Sequence, residues 1–171
     1  MDIKLSTGWI REVLKTKANL KKITELVSLS GPSIDRTQRV GSDFALDIEI
    51  TTNRIDSACI LGFAREARVI LNEENIKAQT VALKTYTPNV KRSLPLKLTC
   101  SKKIVNRLAG FVVSDIKNIK TPDWMKKRLE ISGVRSKNTV VDITNYVMIE
   151  TGHPMHAFDY DKIEDGEIRS T

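Results

Sequence analysis

The sequence lacks the cysteine pattern, the long apolar runs and the leader segment that would place it outside the cytoplasm. Cys59 and Cys100 lie far apart and form no CxxC motif, which indicates reduced thiols and argues against a disulfide framework. No apolar run is long enough to span a bilayer. The first residues, MDIKLSTGW, lack the apolar core of a signal peptide. We therefore expect a cytoplasmic protein without a membrane partner.

The sequence also has fewer negatively charged residues than positively charged ones. The 171 residues carry 28 Lys and Arg against 21 Asp and Glu, for a net charge of +7. This balance is typical of proteins that bind a polyanion, most often a nucleic acid. An equally good explanation is a solvated basic surface without a specific partner. The length allows one compact domain or two small ones.

The first part of the chain predicts two short helices. Ser6 or Thr7 is suited to cap the first one, and its inward face carries Trp9, Ile10, Val13 and Leu14. Asn19 is suited to cap the second one, which carries Leu20, Ile23, Leu26 and Val27 inward and stops at Gly31 in a left-handed conformation. The pair is either a DNA-binding helix-turn-helix or plain helix packing, and the second is favoured because few side chains are suited to reading bases.

A strand, a polar turn and a third helix follow. Phe44 to Thr51 alternates apolar and polar residues, which predicts a half-buried strand. Asp56 is expected to cap a helix from Ser57 to Leu71. The polar residues Asn53, Arg54 and Asp56 form either a binding site or a hydrogen-bonded turn and cap, and the second is favoured.

The periodicity fades over residues 72–94, which predicts a linker with a domain boundary near residue 85. The predicted domains are residues 1–85 and 86–171. In the second, Pro95–Cys100 and Arg107–Ile116 read as strands, the latter apolar enough to be central. A helix from Pro122 to Ser132 is expected to be capped by Thr121 and closed by Gly133.

The most informative stretch runs from Gly133 to Ile163. Its apolar segment from Thr139 to Thr151 predicts a helix of about three turns, which carries the polar pair Thr144 and Asn145. His153 and His156 follow. The HPMH spacing is a poor metal site, and no nucleophile motif is present, so we expect no bound metal.

Thr144, Asn145 and His156 remain as a candidate site. An amide, a hydroxyl and an imidazole that titrates near neutral pH suit recognition of a polar group and activation of a water for hydrolysis. The alternative is structural: Thr144 and Asn145 satisfy buried backbone groups, and His156 is a hydrogen-bonding histidine.

The stretch NTVVDITNYVMIETGHPMHAFDYDKI resembles the beta subunit of bacterial phenylalanine–tRNA ligase. SGPSIDR, TTNRIDSACILGFAREARVIL and TPDWMKKRLEISGVRSKNTVVDITNYV are similar to other segments of that family, in the same order. The resemblance covers nearly the whole chain but only the amino-terminal part of the much longer subunit. Many bacterial relatives insert an oligonucleotide-binding barrel between the positions of Val40 and Asp43, and this sequence has none there.

The resemblance implies an α+β fold, with a small helix-and-strand module of the B1 type followed by the first part of a B3/B4-type editing domain. That domain hydrolyses tyrosine wrongly attached to the phenylalanine tRNA, an isostere that a phenylalanine pocket rejects poorly. Carried onto this chain, Thr144 and Asn145 would line the editing pocket and His156 would position the ester or the water. Asp159 would be structural.

The resemblance also implies partners and cofactors. The alpha subunit would join the beta subunit in an α2β2 heterotetramer that binds phenylalanine tRNA. ATP and magnesium would serve the whole enzyme, with none bound in this part of it. Two other interpretations stay open: a free-standing tRNA-binding or nucleic-acid-binding module, and a non-catalytic scaffold that contacts the alpha subunit.

Overall fold

The computed structural model describes residues 1–82, 86–87, 94–117 and 119–170. Helices and small sheets alternate along these residues, so the predicted α+β class is confirmed. The chain divides into two compact units, Met1–Leu83 with Lys120–His156, and Lys84–Ile119 with Ala157–Thr171. The predicted domains 1–85 and 86–171 stay a prediction, because compactness of this stretch alone does not define the domains of the protein.

A three-stranded antiparallel sheet forms one side of the first unit. Strands β1 (Asp2–Ser6), β3 (Ser33–Val40) and β4 (Asp43–Glu49) lie in the order β1-β4-β3. The sequence pattern predicted strand β4, at Phe44–Thr51. It did not predict β1 or β3. Val40 pairs with Asp43 across a tight turn in which Gly41 has a positive φ of 62°. The described chain therefore passes from β3 to β4 without an inserted barrel.

Three helices cover the sheet: α1 (Thr7–Val13), α2 (Leu20–Ser30) and α3 (Ile60–Glu73). The predicted caps of the first two are confirmed. The Ser6 hydroxyl accepts from the Trp9 N–H at 3.1 Å, and the Asn19 side chain accepts from the Lys22 N–H at 2.8 Å. Strand β2 (Leu14–Thr16) separates α1 from α2, so the helix-turn-helix alternative is wrong.

Two details of the helix ends also differ from the prediction. Gly31 has a φ of −136° and is not left-handed; a Cβ there would lie 3.0 Å from Ile70 Cδ1, a tight contact that a small movement of the Ile70 side chain would relieve. Helix α3 is capped by Cys59, whose Sγ accepts from the Gly62 N–H at 3.2 Å. Asp56 belongs instead to a 3-10 helix, Thr52–Ser57, where its carboxylate accepts from Arg54 at 3.1 Å. Of the two interpretations of Asn53, Arg54 and Asp56, the hydrogen-bonded turn therefore agrees with the structure.

The core of the first unit lies between the sheet and the helices. Its buried side chains are mostly aliphatic and come mainly from β1, α1, α2, β4 and α3, with Trp9 and Phe63 the largest. Its members are Leu5, Trp9, Ile10, Val13, Leu14, Ile23, Leu26, Val27, Leu46, Ile48, Ile50, Ile60, Phe63, Ala64, Ala67, Ile70, Leu71 and Ala78.

Gly62 in α3 is a position where this packing leaves no room for a side chain. A Cβ there would lie 2.0 Å from the carbonyl oxygen of Asp56. Gly62→Ala is therefore expected to lower the free energy of unfolding by about 2 kcal/mol, since the 3-10 helix must shift to accept the methyl group. Urea denaturation followed by circular dichroism measures the change.

Val69→Ala on the same helix is the control. Val69 is 50% exposed, so its replacement by a better helix former should change stability by less than about 0.5 kcal/mol. Equal stability of the Gly62→Ala protein and the wild type would contradict the close contact.

Three more elements complete the first unit. Strand β5 (Ala78–Thr80) pairs antiparallel with β2, and helices α4 (Asp123–Ile131) and α5 (Thr139–Thr151) follow much later in the chain. Tyr146 and Ile149 of α5 pack against the core. The structure therefore builds this unit from two distant parts of the sequence.

The second unit holds a parallel pair, β6 (Lys97–Cys100) and β7 (Glu167–Ser170). The predicted strand at Arg107–Ile116 is wrong, because these residues form neither helix nor strand. Phe111, Val113 and Ile116 are exposed there. The apolar composition is suited to a central strand, but no described strand pairs with the segment, and a strand requires such a partner.

Every helix in the described part of the chain is too short or too polar to cross a membrane.

Candidate functional site

Helix α5 has the bounds that the sequence predicts, Thr139–Thr151. Its first turn is capped by Asn138, whose side chain accepts from the Val141 N–H at 3.0 Å. Its last turn closes at Gly152, which has a φ of 80° and donates its N–H to the Met148 carbonyl. Both ends are fixed by local chemistry, so the side chains between them are held at defined positions.

Asp142 is a fully buried carboxylate in the first turn of α5. Its Oδ2 accepts from the hydroxyls of Thr121 and Ser136, each at 2.6 Å, and its Oδ1 accepts from the Lys137 N–H at 2.8 Å. Asp142 thus links Thr121, two residues before α4, and the loop between the two helices to α5. Thr121 was predicted to cap α4, and that is wrong: its hydroxyl is directed to Asp142, and α4 has no side-chain cap.

The charge of Asp142 is maintained by these donors. Burial by itself raises the pKa of the carboxyl group, but the hydrogen bonds from Ser136, Thr121 and the Lys137 N–H outweigh it. The pKa of Asp142 therefore lies below its ordinary value of 3.8. At neutral pH the side chain is a charged anchor for the helix and the loop.

The predicted site residues Thr144 and Asn145 are neighbours on α5. Thr144 is 9% exposed, and its hydroxyl donates to the Val141 carbonyl at 2.8 Å within the helix. Asn145 is half-buried. The hydroxyl of Thr144 is therefore already used by the backbone, as the structural alternative requires, although its oxygen can still accept a hydrogen bond.

His153 and His156 follow the end of the helix on either side of Pro154 and Met155, and both are exposed. The His153 N–H donates to the Thr151 hydroxyl at 3.3 Å. His156 is the last residue of the first unit. With Thr144 and Asn145 it stays a predicted site.

Asp159 belongs to the second unit. Its side chain accepts from the Asp161 N–H at 3.3 Å and forms an ion pair with Lys162 at 3.4 Å. These contacts cap the short 3-10 helix Tyr160–Lys162.

An aromatic cluster joins α5 to the amino-terminal part of the first unit. The rings of Trp9 and Tyr146 stack with centroids 4.1 Å apart and an interplanar angle of 23°. Trp124 meets Tyr146 edge-on with centroids 5.6 Å apart. The indole N–H of Trp9 donates to Glu150 at 3.4 Å. Such stacked and edge-on pairs stabilise contact beyond the area they bury.

Arg128 of α4 connects the members of this cluster. It donates to the Tyr146 hydroxyl at 2.7 Å and forms an ion pair with Glu12. Its guanidinium lies 5.5 Å from the ring centroid of Trp9 and 5.2 Å from that of Trp124, within cation–π range. Burial raises the pKa of Tyr146 more than Arg128 lowers it, so the hydroxyl is neutral at physiological pH.

A half-open groove of about 850 Å³ lies beside the last turns of α5. Met148 and Ile149 line it from α5, and Ile3, Ile48 and Ile55 face it from the remainder of the first unit. Thr144, Asn145 and His156 are not among its lining residues. The groove is therefore separate from the predicted site.

Sequence reasoning missed Asp142 and the aromatic cluster. An acidic residue in an otherwise apolar first turn, preceded by Ser136 and Thr139, was the available signal for Asp142. No comparable signal existed for the Trp9–Tyr146 pair, because the two rings are far apart in the chain. Within the described ranges, no three His, Cys, Asp or Glu side chains are grouped so that they could hold a metal ion.

Comparison with known proteins places these features in a family. Residues 104–171 match the family model described as the B3/4 domain. Phenylalanine–tRNA ligase beta subunits are similar over a longer stretch. The one from Dehalococcoides mccartyi (strain CBDB1) is 39% identical over 123 residues, which are 72% of this chain and 15% of the relative.

Two further relatives carry the same name. The beta subunit from Sodalis glossinidius is 41% identical over 127 residues, 74% of this chain and 16% of the relative. The one from Rhodopirellula baltica is 30% identical over 168 residues, 96% of this chain and 24% of the relative. The chain thus spans between 15 and 24% of the length of these three relatives.

The class of protein is therefore one whose members carry a B3/4 domain. More narrowly, the chain belongs to the family of phenylalanine–tRNA ligase beta subunits, and the predicted resemblance is confirmed.

Proposed function

We propose that this chain forms part of the beta subunit of a phenylalanine–tRNA ligase and that the region around α5 contributes to hydrolytic editing of tyrosine mischarged onto phenylalanine tRNA. One observation carries the proposal: the B3/4 match over residues 104–171 includes Thr144, Asn145 and His156. These three residues supply a hydroxyl, an amide and an imidazole, groups suited to recognising a polar substrate and to activating water.

The proposed reaction is attack of water on the carbonyl carbon of the ester that joins tyrosine to the tRNA. The bond from that carbon to the ribose oxygen breaks, and the products are tyrosine and a tRNA with a free terminal hydroxyl. Asn145, which both donates and accepts hydrogen bonds, would recognise a polar group of the bound aminoacyl end. The Thr144 oxygen would accept a second hydrogen bond. His156 would accept a proton from the attacking water or hold that water against the ester carbonyl.

The remaining functions belong to the assembled enzyme. An alpha subunit and phenylalanine tRNA are the proposed partners, in a cytoplasmic α2β2 assembly. ATP and magnesium would act in attachment of phenylalanine, and we assign them to the alpha subunit or to other regions of the beta subunit.

Replacing His156 in the intact ligase tests the proposal. His156→Ala is expected to slow deacylation of tyrosyl-tRNA on the order of 100-fold, the usual contribution of a positioned acid or base. Attachment of phenylalanine to tRNA should be unchanged. Release of labelled tyrosine from preformed tyrosyl-tRNA measures the first reaction, and charging with labelled phenylalanine measures the second.

The chain supplies a matched control. His153 is also exposed and lies close to His156 in the chain, so His153→Ala should leave both reactions intact. An equal effect of the two substitutions, or a joint loss of editing and charging from His156→Ala, would argue against the proposal.

The scaffold interpretation is the second candidate. It is favoured by the Thr144 hydroxyl, which already serves the Val141 carbonyl. It expects His156→Ala and Asn145→Ala to weaken association with the alpha subunit and to leave editing unchanged. Size-exclusion chromatography of the same variants distinguishes the two.

A further inference from the structure

A cavity of about 500 Å³, open to solvent and lined by more apolar than polar surface, lies in the first unit, outside the residues that match the B3/4 domain. Four of its lining residues are basic and none is acidic: Arg11, Lys15, Lys17 and Lys77. The remaining lining residues are Leu14, Thr16, Ile76 and Gln79. A concave site with one sign of charge raises the local concentration of ions of the opposite sign.

The strand register explains why the charges converge. In the β2–β5 pair, Lys15 lies opposite Gln79 and Thr16 lies opposite Ala78. Lys17 and Lys77 are the adjacent residues in the chain, just beyond the last pair, Thr16 and Ala78. Like charges that line the same cavity repel each other, and an anion bound among them would reduce that repulsion.

The basic groups are not neutralised from within the described part of the chain. None of the four forms an ion pair with a described residue. Arg11 donates to the Thr16 carbonyl at 3.4 Å, and Lys15 donates to the Arg11 carbonyl at 3.2 Å. A guanidinium has five N–H donors and an ammonium has three, so both retain donors for a ligand.

We propose that this cavity binds a phosphate group, carried either by the backbone of an RNA or by a free diphosphate or triphosphate. Lysine ammonium groups act as point charges on phosphate oxygens, and arginine binds them through its planar fork. The volume lies in the range of small-ligand sites. The proposal goes beyond editing and involves none of Thr144, Asn145 and His156.

The first arm of the test uses inorganic pyrophosphate as the probe of a free phosphate. Isothermal titration of the 171-residue chain is compared with Lys17→Ala/Lys77→Ala. The control is Arg36→Ala/Arg39→Ala, which removes the same charge from strand β3 without touching the cavity. The cavity variant is expected to bind pyrophosphate roughly tenfold more weakly than the wild type, and the control is expected to match the wild type.

The second arm uses a fluorescein-labelled, single-stranded 12-nucleotide RNA and measures anisotropy across a salt series. Each phosphate contact contributes about 0.7 to the slope of log affinity against log salt. The cavity variant should therefore lose about 1.4 of that slope. The control should keep the wild-type slope.

Unliganded stability provides a check that does not depend on binding. Lys17 and Lys77 are exposed, and their removal also removes the repulsion, so the melting temperature of the cavity variant should equal or exceed that of the wild type. Lys17→Gln/Lys77→Gln repeats the comparison with longer polar side chains.

The outcomes separate the two phosphate sources. A selective loss of RNA affinity identifies the RNA backbone as the ligand, and a selective loss of pyrophosphate affinity identifies a free phosphate. Either result, or a loss in both arms that the control variant does not show, supports the site whether or not His156 takes part in editing. Equal losses in the cavity and control variants, or no loss in either arm, would overturn the proposal.

Discussion

Trp9→Ala is expected to lower the free energy of unfolding by about 3–5 kcal/mol, the usual cost of truncating a buried aromatic side chain to alanine. Trp9 is 1% exposed and lies in the core of the first unit. The substitution also removes the stack on Tyr146 and the hydrogen bond to Glu150. Chemical denaturation followed by far-ultraviolet circular dichroism measures the change.

The second tryptophan of the chain serves as the control. Trp124 contacts the same Tyr146 ring but is 51% exposed. Trp124→Ala should therefore cost about 1 kcal/mol or less, since little buried area is lost. Similar losses from the two substitutions would show that the cluster, and not the core position of Trp9, determines the energy.

Asp142→Ala is expected to cost about 3 kcal/mol. The substitution leaves the Thr121 and Ser136 hydroxyls and the Lys137 N–H without their acceptor, and unpaired donors in a buried place are costly. Asp123→Ala is the matched control. Asp123 also lies in the first turn of a helix, but its side chain is 91% exposed, so its loss should cost less than about 1 kcal/mol.

Asp142→Asn keeps the shape of the side chain and removes its charge. The variant therefore shows how the stability that this charge contributes depends on pH. The folded pKa of Asp142 lies below its ordinary value of 3.8, so its charge stabilises the fold fully above that value. The contribution is lost as the pH falls through the folded pKa. The difference in unfolding free energy between wild type and Asp142→Asn should therefore be largest near neutral pH and shrink below about pH 4.

The other carboxylates with a lowered pKa, Asp43, Asp56 and Glu167, are present in both proteins and do not disturb this comparison. Asp43 accepts hydrogen bonds from Ser6, Thr7 and Gly8 in both proteins. Its acid sensitivity therefore cancels in the difference. A difference that stays constant between pH 7 and pH 3 would show that the charge of Asp142 contributes nothing.

Local chemistry was enough to predict the elements whose ends and faces are determined nearby. The caps at Ser6 and Asn19 and the full extent of α5 follow from short-range patterns. The site residues Thr144, Asn145 and His156 were chosen from residue chemistry and resemblance, and they remain predicted.

Long-range partners account for what the sequence could not show. Strand β3 is polar and almost wholly exposed, so it carries no alternating signal and owes its form to pairing with β4. Thr121 has the sequence position of a helix cap, but its hydroxyl donates to Asp142, which is distant in the sequence. The segment 107–116 shows the converse: its composition favours a strand, but β structure requires a neighbour.

The aromatic contact between Trp9 and α5 affects how this protein folds during synthesis. The hydrogen bond from Trp9 to Glu150 closes a loop with a sequence separation of 141 residues. A ribosome adds roughly 5–20 residues per second. For several seconds or more after the amino-terminal sheet and helices have been synthesised, the face of Trp9 that later contacts Tyr146 is therefore uncovered. During that interval an exposed indole is available to chaperones and to other nascent chains, and the late arrival of one tyrosine ends the exposure.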